Sequence, residues 1–492
     1  MLAAIRHHLS TLPAGSTLVL SFVGVVLLSV FAAAASGYYF LAALPAVFIG
    51  GYLALVDFKP IYWLLIVCIP FSTEIQLPGG FGTDLPTEPL IVGLMVLFGL
   101  FVLSNLKSLS TDLLRHPLSL ILMLHVAWVA TTTITSGLFF VSLKFLLAKV
   151  WYVVTFFGLS AYLLRTDKDF RQFFWIFFWP FIIVVLIILL RHALLGFSFQ
   201  GIHSIMHPFQ RNHVNYAAAL ALFYPFMVLM LGRYKRWSMP WNVLVGGLVI
   251  VLLAVYFSYT RAAYIALIIA LGTYFILRWR LMRYALIGAG AAAIIGVAHM
   301  VSNSTYLEYA PNYDRTISHE RFDNLIEATY KMEDISTMER VYRWVAAGHM
   351  TPERPIFGWG PGNFVNFYKP YAVTSFRTYV SDNPEQSGVH SYFVMTLVEQ
   401  GLPGLIIFIA LLVVFFLRGE YLYHALAAYP KRQTIVLTVV LSMTVITAFL
   451  LINDLIETDK IGSFFFINLA IFINQDLFLR RQRLSSSVQE DA

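Results

Sequence analysis

Long apolar runs recur along the whole chain, and this feature constrains the fold more than any other. Only 12% of the 492 residues are charged and 59% are hydrophobic, whereas soluble proteins carry about 25% charged residues. An apolar run of about twenty residues is long enough to cross a bilayer as a helix. The sequence therefore predicts an all-α polytopic membrane protein.

Fourteen runs are predicted to span the membrane, with twelve to fourteen compatible with the pattern. Their approximate bounds are 17–35, 38–56, 60–77, 89–104, 117–134, 143–164, 172–193, 214–232, 241–257, 262–277, 284–300, 390–417, 433–450 and 461–479. Pro70 leaves open that the run 60–77 is broken or re-entrant.

Basic residues alternate between successive connections. Nineteen Lys and Arg residues fall in one set of connections. The short connections of the other set hold only Arg191, Arg211, Arg261 and Lys460. Because cytoplasmic connections carry the basic excess, we predict an inner-membrane protein with both termini in the cytoplasm. The one long connection, 301–389, then forms a large, mostly helical domain on the outer side.

This topology divides the chain into five predicted parts. They are 1–213 with the first seven helices and an outer loop, 214–300 with helices eight to eleven, 301–389 with the outer domain, 390–479 with the last three helices, and 480–492 as a cytoplasmic tail.

Three predicted helix starts on the outer side carry polar residues. These are Arg211 and Asn215, Tyr259 and Arg261, and His390 and Ser391. A helix start attracts anions, and Arg binds phosphate oxygens bidentately, so a pocket formed by all three would suit a diphosphate. His390 is the candidate proton acceptor because His titrates near neutrality. Taken singly, each Arg is equally consistent with an anchor at the lipid head groups.

Four segments resemble, in order, the signatures of bacterial O-antigen ligases. His390-Ser391, nine residues, then Gly401-Leu-Pro-Gly404 resembles H-[NSQ]-x9-G-x-x-G. The sequence S-Y-T-R-A-A-Y at 258–264 is similar to S-x-S-R-G-A, and P-I-F-G-W-G-P-G-N-F at 355–364 resembles P-l-x-G-x-G-x-x-x-F. The stretch 207–217 is similar to the family's N-x-x-A segment. The resemblance covers about 200–415.

The resemblance implies a metal-independent, inverting glycosyl transfer without cofactor, on the periplasmic side of a bacterial inner membrane. The donor would be a glycan on polyprenyl (undecaprenyl) diphosphate, and the acceptor a glycan or a lipid, with the lipid A core as one candidate. His390 would act as general base, while Arg211 and Arg261 hold the diphosphate and Arg340 contacts phosphate or acceptor. Lys149, inside a predicted span, is a candidate for lining the lipid-phosphate path. Membrane lipids are expected partners and nucleic acids are not.

Several alternatives stay open. Leu405 and Ile406 stand where ligases usually have two Thr, and Ile265 replaces a family Leu, so an O-antigen or exopolysaccharide polymerase of the same superfamily is the first alternative. A lipid-linked oligosaccharide flippase or transporter is the second. A metal-dependent polyprenyl-phosphate-sugar transferase is disfavoured, because the acids of the 72–88 loop include no adjacent pair.

Two further groups of side chains have two interpretations each. Six aromatic residues either stack on sugar rings or pack the outer domain onto the helices: Tyr259, Trp344, Trp359, Phe364, Tyr368 and Tyr371. The acidic residues Asp454, Glu457 and Asp459 either assist acceptor binding or, as we favour, belong to a solvated loop.

Overall fold

The computed structural model describes residues 23–33, 45, 57–77, 81–106, 110–302, 335–372, 383 and 387–490. The predicted span 38–56 lies outside these ranges except for residue 45. Much of the predicted outer domain, including 303–334, also lies outside them.

The described part of the chain is predominantly helical. The helices are α1 Val23–Ala33, α2 Lys59–Phe71, α3 Thr87–Ser104, α4 Pro117–Ile134, α5 Phe139–Leu163, α6 Asp167–Leu194, α7 Phe199–Ile205, α8 His213–Leu231, α9 Met239–Phe257, α10 Arg261–Arg278, α11 Met282–Val301, α12 Ile335–Met350, α13 Phe364–Phe367, α14 Tyr392–Ala425, α15 Pro430–Leu450 and α16 Asp459–Glu490. Within the described ranges, eleven helices are long and apolar enough to cross a membrane, namely all except α1, α2, α7, α12 and α13. The chain is thus a multi-pass membrane protein.

The predicted single span 60–77 is wrong, because α2 ends at Phe71 and a hairpin follows. Strands β1 (Thr73–Leu77) and β2 (Phe81–Leu85) pair antiparallel, and Glu74 lies opposite Asp84. Polar residues begin at Ser72, directly after the last residue of α2, so the apolar helix of 13 residues is too short to cross. The hairpin also departs from a purely helical fold.

The centre of the bundle is formed by α8, α15 and α16, which bury most of their residues, whereas α11 is almost wholly exposed. Helix α6 packs its aromatic face on this centre. The Phe177 ring lies 4.7 Å from both the Phe223 ring of α8 and the Phe464 ring of α16. Apolar side chains on the outer helices face the surrounding lipid.

The two ends of the bundle differ in charge. At one end, Arg418 binds Asp476, Arg233 binds Asp167 and Arg481 binds Asp112. We call the opposite end the His390 end; it comprises 72–77, 81–86, 195–212, 258–260, 387–391 and 451–458. Four of the basic residues that the alternation assigns to the cytoplasm lie together at the other end, where Arg432 donates to Arg165 O and Arg233 donates to Lys431 O. Which end faces the cytoplasm stays a prediction.

Helix α14 is broken at Gly401, whose φ of 71° and ψ of −177° are inaccessible to most L-residues. The break exposes backbone groups that the segment 355–364 binds. Leu402 N donates to Pro355 O at 2.8 Å, and Gly360 N donates to Glu399 O at 2.9 Å. A side chain at Gly401 would overlap the carbonyl oxygen of Ile356. The glycine therefore permits the segment to lie directly on the helix.

Glu399 completes this docking from inside the helix. Its carboxylate is 2% exposed and accepts hydrogen bonds from the backbone of Gly362 at 2.8 Å and Phe364 at 3.0 Å. Two segments that sequence comparison identified separately, 355–364 and 401–404, thus form one structural unit beside α4, where Trp128 donates to Gln400 O at 2.8 Å.

Candidate active site

His390 lies immediately before α14 and is held by residues of α12. Arg343 Nη1 donates to Gly388 O at 2.9 Å, and Trp344 Nε1 donates to Val389 O at 3.1 Å. Ser391 caps α14 by accepting from Val394 N at 3.4 Å. His390 itself has a φ of 57°, a left-handed conformation that few residues other than Gly, Asn, Asp and His adopt.

The surroundings keep the His390 imidazole neutral. Burial, together with the positive charges of Arg343 and Arg340, lowers its pKa from 6.5 to about 3. A neutral imidazole has a free lone pair on one ring nitrogen and can accept a proton. The chemistry available to His390 over physiological pH is that of a base.

The three predicted helix starts lie around one end of α15. Helices α8 and α10 both pack against α15, and their starts touch where Thr260 Oγ1 donates to His213 O at 3.4 Å. The start of α14 is attached just beyond α15, because Tyr392 N donates to Asn453 O at 3.2 Å. The helix starts chosen from the sequence therefore share one end of the bundle.

The predicted arginines lie at different depths. Arg340 is beside His390 and donates from Nε to Ile452 O at 3.3 Å. Arg261 is the first residue of α10. Arg211 is largely exposed, and its Nε is 3.8 Å from the Glu74 carboxylate. Arg340 is thus the predicted arginine that the structure brings nearest to the imidazole.

Arg343 was missed by the sequence analysis, and Asp454 was considered there only as part of an acidic loop. Arg343 lies one helical turn after Arg340, a spacing that places both on one face. Asp454 interacts electrostatically with Arg211 and Arg343, and its carboxylate contacts Gly388 so closely that a Cβ there would overlap it. Burial raises the pKa of Asp454, and Glu457 adds to this, while the two arginines oppose it. Asp454 thus links Arg211 to the segment that carries His390.

Lys149 forms a buried ion pair with Glu457. Its Nζ donates to Glu457 Oε1 at 2.6 Å and to the Tyr392 hydroxyl at 3.0 Å. Lys149 is 2% exposed. These bonds fix the first residue of α14 to the 451–458 segment, so Lys149 supports the position of His390. Its role in binding substrate stays a prediction.

Asn215 and Tyr259 occupy well-defined positions. Asn215 N donates to Asn212 Oδ1 at 2.9 Å, which caps α8, and the side chain of Asn215 lines a cavity at the His390 end. Tyr259 has a φ of 52°, and its hydroxyl donates to Phe197 O at 2.6 Å.

Burial decides the two open interpretations for three of the six aromatic residues and for one of the three acidic residues. Trp359, Phe364 and Tyr368 are 8%, 1% and 2% exposed, so they pack the 355–371 region instead of presenting faces to sugars. The favoured interpretation of a solvated acidic loop is wrong for Asp459, which is 4% exposed and accepts from Thr87 Oγ1 at 3.2 Å.

The cavity at the His390 end has a volume of ≈ 330 Å³. Its walls come from the hairpin, from 207–215 before and at the start of α8, and from 457–461. Glu457 lies in its wall and also bonds to Tyr392, two residues after His390.

Residues 246–409 match the family described as O-antigen ligase, a range that includes Arg261, Arg340, His390 and Gly401. No curated protein matches the chain.

Proposed function

Since the match over residues 246–409 supports membership of the O-antigen ligase superfamily, we propose that this chain is a membrane glycosyltransferase. It transfers a glycan from a polyprenyl diphosphate donor to an acceptor hydroxyl, without a metal, at the periplasmic side of a bacterial inner membrane. The observation that carries this proposal is His390, a neutral imidazole at the start of α14 with Arg340 and Arg343 beside it.

The proposed reaction assigns one task to each group. The acceptor oxygen forms a bond to the anomeric carbon while the bond from that carbon to the diphosphate oxygen breaks. His390 takes the proton of the acceptor hydroxyl. The negative charge that develops on the diphosphate is stabilised by arginine side chains and by the starts of α8 and α10. The proton then leaves the imidazolium to solvent.

Several arginines are available for the diphosphate. Arg261 and Arg211 belong to α10 and to the segment before α8, as the resemblance implies, and Arg340 lies nearer the imidazole. Because Arg340 and Arg343 disfavour protonation of His390, a bound diphosphate would offset their charge and make the imidazole a stronger base. Donor binding would thereby increase the basicity of His390 before transfer.

The test is transfer by purified protein reconstituted with a lipid-diphosphate glycan donor and candidate acceptors. We expect His390→Ala and Arg261→Ala to lose at least a hundredfold in rate. His349→Ala is the matched control, because His349 is an exposed residue of α12. Unchanged transfer in both site variants would refute the proposed site.

A polymerase that extends the lipid-linked glycan is the second candidate. The observation that favours it is Leu405-Ile406 after Gly404, where ligases usually have two Thr. Deletion of the gene distinguishes the two. A polymerase mutant still decorates its acceptor with single units, whereas a ligase mutant accumulates undelivered lipid-linked glycan.

A further inference from the structure

The ≈ 330 Å³ cavity at the His390 end has walls fixed by hydrogen bonds. The Ser72 and Thr87 hydroxyls are 2.7 Å apart, and Thr87 Oγ1 also donates to Asp459 Oδ2 at 3.2 Å. Lys460 Nζ donates to Ser72 O at 3.0 Å. The cavity is therefore preformed, and its volume is in the range of about 300–1,000 Å³ that is usual for small-molecule sites.

Two hydrogen-bond acceptors in the wall are unused. Gln210 is 5% exposed, and its Oε1 has no hydrogen-bond partner among the described residues. A buried acceptor without a donor costs about 1–3 kcal/mol. The Asp84 carboxylate, opposite Glu74 in the hairpin, likewise accepts no hydrogen bond from the described part of the chain. Both groups would be satisfied by a ligand that donates.

The charges in the wall narrow the class of ligand. Burial and the charge of Asp459, against the opposing effect of Lys460, raise the pKa of Asp84 to about 7. The acidic side chains that contribute to this shift, Asp459, Glu88 and Glu74, disfavour a phosphate beside Asp84. Within the described residues, no three His, Cys, Asp or Glu side chains are arranged to hold a metal ion. Lys144 and Arg211 add donors to the wall.

A sugar ring matches this lining, because each hydroxyl both donates and accepts. Hydroxyls would donate to Gln210 and Asp84 and accept from Lys144, while the Phe209 ring in the wall offers an apolar face to the C–H groups of the ring. Glu457 joins the cavity wall to Tyr392, two residues from His390.

We propose that this cavity is a carbohydrate subsite, which binds a sugar ring of the transferred or accepting glycan beside the transfer centre. This inference rests on the proposed function, because only a protein that handles glycans needs such a subsite. Substrate recognition then depends on the hairpin and on Gln210, both outside the family-matched segment.

The test is direct binding, measured without transfer. The probe is the glycan released by mild acid from the lipid-linked pool of the source cells, and saturation-transfer NMR reports its contacts with the full-length protein in micelles. We expect signals from ring protons in wild type and a loss of affinity of at least tenfold in Asp84→Asn and in Gln210→Met. Gln210→Met replaces the amide with a thioether of similar size, so it removes the hydrogen-bond acceptor without filling more of the cavity.

Glu353→Gln is the matched control, since this outer carboxylate bonds to Tyr371 and lies outside the cavity. It should bind the glycan as wild type does. Equal binding by wild type, Asp84→Asn and Gln210→Met, or no binding by wild type, overturns the subsite. The subsite is also overturned if the protein binds no glycan but its melting temperature rises with Mg²⁺ or Ca²⁺ alone and Asp84→Asn abolishes that rise. His390→Asn should bind the glycan normally while it loses transfer. Glycan binding by wild-type protein that shows no transfer would count against the proposed function alone and leave the subsite standing.

Discussion

Replacing Gly401 by alanine perturbs the docking of the 355–364 segment onto α14. The φ of 71° and ψ of −177° belong to a region that is open almost only to glycine, at a cost of about 1–3 kcal/mol for other residues. The new Cβ would also overlap Ile356 O, and relief of such crowding costs about 1–3 kcal/mol more. The hydrogen bond from Leu402 N to Pro355 O would break first. Together these effects weaken the docking by about 2–6 kcal/mol.

Hydrogen exchange measures this loss locally. The amides of Trp359 and Gly360 donate to the α14 backbone at 2.9 Å, so they exchange only when the segment detaches. A weakening of 2 kcal/mol raises their exchange rate about 30-fold. Gly272→Ala in α10 is the control, because nothing lies within 4 Å of its added Cβ and a helical site gains up to about 1 kcal/mol from alanine. Protection of the two amides in Gly401→Ala equal to that in wild type would refute the reasoning.

Four further predictions concern the imidazole, its pH dependence, its supporting ion pair and metal. His390→Asn should fold as stably as wild type, since Asn tolerates a positive φ, yet lose transfer; normal transfer by this variant would exclude the residue as base. In wild type the low pKa of His390 keeps the imidazole neutral, so the rate of transfer should not fall as the pH drops through 6.5. Arg340→Gln removes a positive charge, should raise the pKa of His390 and should shift the loss of activity at low pH towards 6.5. Identical pH profiles of the two proteins would contradict the electrostatic role of Arg340. Lys149→Met should destabilise the protein by about 3 kcal/mol because it leaves the Glu457 charge unpaired. Adding Glu457→Gln should recover part of this loss, as measured by thermal unfolding. If the two substitutions destabilise the protein additively, the two side chains do not form a stabilising pair. Transfer should persist in EDTA, and a loss restored by Mg²⁺ or Mn²⁺ would favour the metal-dependent alternative, for which the hairpin supplies the facing carboxylates Glu74 and Asp84.

Much of the helical architecture could be predicted because lipid imposes it. Runs such as 214–232 and 433–450 have to be helical to satisfy their backbone in a bilayer, and they became α8 and α15 within a few residues. The prediction of a single span at 60–77 was wrong for a local reason. Its hydropathy stays high through Pro70, but the polar residues from Ser72 onward pair with Phe81–Leu85, a contact that no helical period reveals.

The candidate site was predictable only where residues are close in sequence or at helix starts. His390, Ser391 and Arg261 stand at such positions, and Arg343 could have been found from its spacing to Arg340. The pair of Lys149 and Glu457 joins residues 308 positions apart, and no single-sequence pattern carries that information. Gln210 was hidden for another reason, since an unsatisfied amide oxygen is a property of three-dimensional packing alone.

The contact between 355–364 and the broken helix α14 is made largely by main-chain atoms. Glycines are needed there for space, and Glu399 supplies the carboxylate that holds two of the amides. The spacing of those glycines therefore reflects how the 355–364 segment packs on α14. It does not indicate which sugar the protein binds. Proteins that share this contact can transfer different glycans. To identify what this chain transfers, the hairpin and the residues around Gln210 should be compared instead.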